Sequence, residues 1–255
     1  GRGFTCTLDI LGEHVQSATE AENITREYCD LYDVIASENL DCNISIKLTH
    51  IGLSLDETIA VNNLERILKQ VKKHNNFLRI DMENSPYTQD TINLYQDYVS
   101  DYPNMGIVLQ AYLKRSLEDV RTLNGPGFNT RVCKGIYDEP ETIAFKDRAA
   151  IQDNFFHITK EILSGNGFAA IATHDIPLID RIEDWIESTQ VPSDRFEFQV
   201  LYGVPMGGRL ERLLDKGYTV RQYVPFGPEW FDYSLRRLKE NPKIMAYVLG
   251  NLFKR

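Results

Sequence analysis

The chain has 255 residues, 42% of them hydrophobic and 25% charged, which suits a soluble globular protein with a core of respectable size. A formal charge of −9 and a pI of about 5.1 exclude the basic footprint of a nucleic-acid binder, and no apolar run is long enough to span a bilayer. Four cysteines without C-x-x-C spacing and five histidines without H-E-x-x-H spacing give no zinc site and no disulfide framework, and fit a reducing compartment.

Short strand-like runs alternate with helical runs along the whole chain, and no signal-peptide pattern is visible in the sequence. The pattern predicts a strand over 6–11 and a helix over 18–38, then 44–49 with 56–74, 77–82 with 89–101, and 106–111 with 116–123. It continues with 129–135 and 141–163, 169–174 and 177–188, 197–201 and 208–216, and 220–224 with 229–240. Asp56 followed by Glu57 reads as a helix N-cap with a first-turn acid, and Gly165 and Gly217 read as helix stops. Eight β/α pairs of roughly 30 residues each, with no linker between them, predict a single α/β domain over 1–255, a (β/α)8 barrel. An open doubly wound sheet fits less well, because no G-x-G-x-x-G follows the first strand and no Walker A motif is present.

The functional groups of such a barrel stand at the C-terminal ends of its strands. The first brings Asp9 and Glu13. In the second, Ser45, Lys47 and Thr49 alternate with Ile44, Ile46 and Leu48, so the aliphatic set faces the helices and Lys47 faces the barrel mouth. The third ends Arg79-Ile-Asp81-Met-Glu83, the fourth carries Gln110 and Tyr112, and the fifth runs Arg131-Val-Cys-Lys134-Gly135-Ile-Tyr137. Thr173, His174 and Asp175 end the sixth, Gln199 and Leu201 the seventh, and the eighth gives Arg221 and Tyr223. Each has a plain reading as well. Asp9 and Arg79 suit structural ion pairs, His174 suits a cap on the next helix, and Tyr137 and Tyr223 suit packing.

On the last predicted helix Tyr233, Arg236 and Arg237 share one face at i, i+3 and i+4, away from the apolar stripe of Phe231, Leu235 and Leu238. Adjacent guanidiniums without nearby acids suit a carboxylate or phosphate held bidentate. Lys47, Arg131, Lys134, Arg236 and Arg237 together predict a positive mouth on an acidic body, and so an anionic ligand.

Read together, these strand ends resemble the proline dehydrogenase family. The resemblance rests on Leu8-Asp-Ile-Leu-Gly-Glu13, Ile44-Ser-Ile-Lys-Leu-Thr49, Arg79-Ile-Asp-Met-Glu83, Arg131-Val-Cys-Lys-Gly-Ile-Tyr137, Ala172-Thr-His-Asp175, Phe198-Gln-Val-Leu-Tyr-Gly203 and the stretch from Tyr223 to Glu240, in the family's order. It implies a distorted barrel that binds FAD, with the last helix over the mouth. Arg236, Arg237 and Lys47 would grip a substrate carboxylate, and Glu13 would pair with Arg236. Tyr223, Tyr233 and Leu201 would pack on the pyrrolidine ring of L-proline, with Tyr137 at the gate. Arg131 would lie against the flavin and Asp81 beneath it. Gln110, Lys134, Gly135, Thr173, His174 and Tyr247 would complete the cofactor site. The family's activity would be oxidation of L-proline to Δ1-pyrroline-5-carboxylate, with electrons passed to a quinone.

The chain departs from the family by starting almost on the first strand, and it carries no aldehyde dehydrogenase domain, so the expectation is a monofunctional enzyme. A quinone acceptor implies contact with a membrane face, at the bacterial inner membrane or in the mitochondrial matrix. The competing expectations are a hydroxyproline dehydrogenase, which Tyr223 would crowd, a flavin-free barrel for a phosphorylated substrate, and a binding protein without catalysis.

Overall fold

The computed structural model describes residues 3–228 and Trp230. Its eight strands are β1 (Thr5–Ile10), β2 (Cys42–Ile46), β3 (Leu78–Ile80), β4 (Met105–Gln110), β5 (Asn129–Cys133), β6 (Phe168–Ala172), β7 (Phe196–Leu201) and β8 (Val220–Phe226). Each pairs in parallel with the next, and β8 returns to β1, closing the barrel. The helices between them are α1 (Ala18–Ser37), α2 (Glu57–His74), α3 (Thr88–Val99), α4 (Ser116–Leu123), α5 (Arg148–Ser164), α6 (Ile176–Thr189) and α7 (Arg209–Asp215).

The side-chain period of two sets which residues face the helices. Ile44 and Ile46, Leu78 and Ile80, Ile107 and Leu109, and Phe196 and Phe198 are all buried between sheet and helices. The helices answer with matching stripes, as in α2, where Ala60, Leu64, Ile67, Leu68 and Val71 are buried along one face. The caps fall where expected. Asp56 accepts from the backbone N–H of Thr58 at 2.7 Å, Gly165 caps α5, and Gly217 follows α7 at a φ of 81°. Among the described residues no helix is long and apolar enough to cross a membrane.

Two boundaries differ from the sequence-based expectation by three residues or more. The second strand ends at Ile46 rather than at residue 49, and Thr49–Ile51 forms a 3-10 turn. The N–H of Thr49 goes to the Glu83 carboxylate at 3.0 Å instead of to a strand ladder. The fifth helix begins at Arg148 rather than at residue 141. Lys114 donates its N–H to Ile143 at 2.9 Å and Phe145 donates to Tyr112 at 2.7 Å, so this segment pairs with the β4–α4 connection before Asp147 caps α5. The expected helix over 229–240 lies outside the described residues, apart from Trp230.

Candidate active site

Inward-facing residues of several strands fill the barrel interior with polar groups in two layers. In the lower layer, toward the N-terminal strand ends, Arg79 donates to the carbonyls of Ile107 and Asn129, both at 2.9 Å, and to Asn129 Oδ1 at 2.5 Å. Gly106 makes room for it, since a Cβ there would lie 2.4 Å from the guanidinium. Arg221 Nε contacts Glu197 at 2.9 and 3.0 Å and its NH1 donates to the carbonyl of Cys6 at 2.8 Å.

The upper layer centres on Arg131. Its Nε donates to Gln199 Oε1 at 2.6 Å, NH1 to Asp81 Oδ1 at 2.7 Å and NH2 to Ser45 Oγ at 3.0 Å. Tyr223 donates its hydroxyl to the other Asp81 oxygen at 2.9 Å, and its ring lies 5.0 Å below the guanidinium carbon. Lys47 stands beside, 3.4 Å from the Asp9 carboxylate. Burial alone would pull the Lys47 ammonium down, but Asp9, Asp81, Glu83 and Glu13 hold it well above the usual lysine range. Burial lifts the Asp9 carboxyl above the ordinary carboxylate range against the pull of Lys47. Gln110 donates to the carbonyl of Met82 at 3.2 Å, while its own Oε1 is buried without a partner.

Three loops rise above this layer. Glu13, on the β1–α1 connection, accepts from the Tyr137 hydroxyl of the β5–α5 connection at 3.2 Å. Lys134 forms an ion pair with Asp175, which also accepts from Gln152 at 2.5 Å and Arg148 at 3.3 Å. Burial pushes the Asp175 carboxyl up, yet these partners bring it down to about 2. Gly135 has a φ of 101°, and a Cβ there would sit 2.2 Å from the Tyr112 ring, so no side chain fits between that backbone and the ring. His174 accepts the N–H of Leu201 on Nε2 at 3.0 Å, tying the ends of β6 and β7 together.

Asp81, Arg131 and Tyr223 therefore meet in one cluster, Lys47 joins it through Asp9 at the mouth, and Tyr137 meets Glu13. Lys134, Gly135, Thr173, His174 and Leu201 stand at the same end of the barrel, on β5, β6, β7 and the loops that follow them. Tyr233, Arg236, Arg237 and Tyr247 lie outside the described residues, and so does the expected Glu13–Arg236 pair.

Several plain readings need correction. His174 does not cap α6, whose N-cap residue is Asp175. Arg79 binds backbone carbonyls and Asn129 rather than standing in an ion pair. Of the five cations expected at the mouth, Lys47, Arg131 and Lys134 each face a carboxylate, in Asp9, Asp81 and Asp175, and Arg236 and Arg237 lie outside the described residues. Ser45 and Gln199 were not assigned roles, although both hold Arg131. Their signal was positional: each faces inward two residues before Lys47 and Leu201. Glu13, His14 and Glu83 bring potential metal-ligating atoms within 4.8 Å of one another, but Thr49 holds both Glu83 oxygens and Tyr137 donates to Glu13, so the group is a hydrogen-bonded knot between loops.

The family profile described as "Proline dehydrogenase" matches residues 1–248. The chain is 37% identical over 254 residues to Proline dehydrogenase 1 of Bacillus subtilis, covering 99% of this chain and 83% of that protein. It is 31% identical over 257 residues to Proline dehydrogenase of Deinococcus radiodurans, with 99% and 83% covered. Among solved structures it is similar to proline utilization A (PutA) from Bdellovibrio bacteriovorus inactivated by N-propargylglycine, with a TM-score of 0.86 and 25% identity. That likeness covers 94% of this chain, which spans only 30% of the PutA chain.

Proposed function

The chain belongs to the proline dehydrogenase family, an oxidoreductase family acting on the CH–NH group of proline, and from that premise we propose that its upper layer binds FAD and L-proline and yields Δ1-pyrroline-5-carboxylate. The observation that carries the reading is the Arg131 cluster: a cation held by Asp81, Gln199 and Ser45 with Tyr223 packed on it, at the catalytic end of the barrel.

The residues present suit the cofactor. The buried, unpartnered Oε1 of Gln110 suits a ring N–H, and the backbone at Gly135 leaves no side chain to obstruct a close approach. Lys134 suits a phosphate, and Thr173 and His174 stand at the neighbouring strand end. Bound there, FAD supplies a two-electron acceptor for the hydride that leaves the proline ring carbon next to nitrogen.

The chain's own groups do the rest. Lys47 is held protonated and grips the proline carboxylate together with Arg236 and Arg237. Tyr223, Tyr233 and Leu201 fix the apolar ring, so that its C–H is aimed rather than free to tumble. Arg131 presents a fixed positive charge where negative charge develops. Glu13 and Tyr137 close the rim and exclude water. The ring nitrogen gives up its proton to solvent as the C=N bond forms. Electrons then pass to a quinone, which the protein reaches by peripheral contact with a membrane, the inner face of a bacterial membrane being the setting we favour.

The test is chemical. Denaturing the purified protein should release FAD. Turnover with L-proline and a soluble quinone should give a product lighter by two hydrogens. Release of no flavin after reconstitution with FAD, or turnover of a phosphorylated substrate instead, would overturn the assignment.

A further inference from the structure

Thr49 and Glu83 each end one of the motifs quoted above, and the proposed reaction gives neither a role. Glu83 is 1% exposed. Its Oε1 accepts the Thr49 N–H at 3.0 Å, and its Oε2 accepts the Thr49 hydroxyl. An ionised carboxylate only accepts, so the hydroxyl proton points to Glu83 and a lone pair of Oγ1 is left for another donor. That donor is the backbone N–H of His14, at 3.1 Å. The Thr49 carbonyl takes the next amide, Val15, at 3.4 Å. One residue of the β2–α2 connection thus fastens the β1–α1 loop on one side and is fastened by the β3–α3 connection on the other.

The loop it holds has little freedom. Gly12 has a φ of 151°, and a Cβ there would lie 2.3 Å from His50 Nε2. His14 has a φ of 55°, a left-handed conformation that non-glycine residues adopt only when held there. Glu13 lies between these two positions, so the tie at His14 sets where its carboxylate points. That carboxylate accepts from Tyr137 across the mouth.

We propose that the Glu83–Thr49 pair is a positioning device that sets Glu13, and through it Tyr137, over the bound substrate. The proposal rests on the proline-oxidising reading of the site. Glu83 acts through Thr49, and Thr49 acts through the backbone of the β1–α1 loop. The pair therefore governs capture of the substrate rather than the chemical step, and its loss appears in KM.

The experiment uses the FAD-loaded enzyme with L-proline and a soluble quinone, comparing Thr49→Val, Thr49→Ser and Glu83→Gln with wild type, alone and combined with Glu13→Gln. Thr49→Val should raise KM about tenfold and leave kcat within about twofold, the size of one lost hydrogen bond. Thr49→Ser should restore KM, which a packing role for the methyl group would not allow. In the Glu13→Gln background Thr49→Val should add less than about twofold, because both act through one carboxylate. Unchanged KM in Thr49→Val, full additivity with Glu13→Gln, or a fall in kcat alone would overturn the proposal. Should Thr49→Val fail to fold, Thr49→Ala carries the same expectations, since it too removes the hydroxyl that accepts the His14 N–H. Hydrogen exchange over residues 11–17 in the proline-free holoenzyme reports the tie independently of the reaction. Faster exchange in the variants supports it even if L-proline is not the substrate, and unchanged exchange overturns it.

Discussion

The two layers of the barrel interior use the same residue types and differ in what those residues bind. In the lower layer Arg79 and Arg221 reach backbone carbonyls of Ile107, Asn129 and Cys6 as well as the side chains of Asn129 and Glu197. In the upper layer the guanidinium of Arg131 bonds to side chains, those of Asp81, Gln199 and Ser45. A guanidinium bonded to backbone can move only if strands move. One bonded to side chains can exchange a partner for a ligand at little structural cost. A buried arginine inside a barrel is therefore not by itself a functional signal, and its height and partners decide.

The comparison breaks most visibly in the lower layer. Arg79→Met removes three hydrogen bonds, to the carbonyls of Ile107 and Asn129 and to Asn129 Oδ1, and should cost about 3–5 kcal/mol of stability, read as a fall in Tm, with KM for proline unchanged in the folded fraction. A raised KM without a fall in Tm would mean that the layers are not separable.

A second test uses pH. His50 is buried behind the β1–α1 loop, with its Nδ1 3.2 Å from the Tyr28 hydroxyl, and burial followed by the Lys47 charge lowers its pKa from 6.5 to about 4. The unfolded chain takes up a proton below about pH 6.5 that the folded protein refuses until about pH 4. Stability is thus full above that window and falls as pH drops through it, by about 3 kcal/mol in total. Denaturant melts between pH 7 and 4 should show this slope, and His50→Gln should flatten it.

In the upper layer the expected signature reverses. Arg131→Lys keeps the charge but cannot reach Asp81, Gln199 and Ser45 together, and kcat/KM should fall about 100-fold with only a small change in Tm. Tyr223→Phe removes one hydroxyl bond to Asp81, and steady-state kinetics should show a loss of about tenfold or less.

The alternation of Ser45, Lys47 and Thr49 with Ile44, Ile46 and Leu48 was enough to place Lys47 at the mouth, because a buried parallel strand has only one way to turn its aliphatic face to the helices. The same logic separated Asp81, Arg131 and Tyr223 from their apolar neighbours. It did not distinguish Arg79 from Arg131, because the period of two gives the face but not the partner. The choice of carbonyl or carboxylate comes from the strand stagger of the closed barrel. The early end of β2 was also hidden, since it depends on Glu83, far along the chain, capturing the N–H of Thr49. Helix α5 starts later than its sequence pattern suggests because the backbones of Ile143 and Phe145 pair with the β4–α4 connection.

The most direct test of the central claim is an anaerobic visible spectrum of the FAD-loaded protein before and after L-proline, with hydroxyproline in a parallel cuvette. The account predicts flavin bands that bleach with L-proline, and that bleach far less with hydroxyproline because Tyr223 crowds the added hydroxyl. Flavin bands that L-proline leaves unchanged, or that hydroxyproline bleaches more readily, would contradict it.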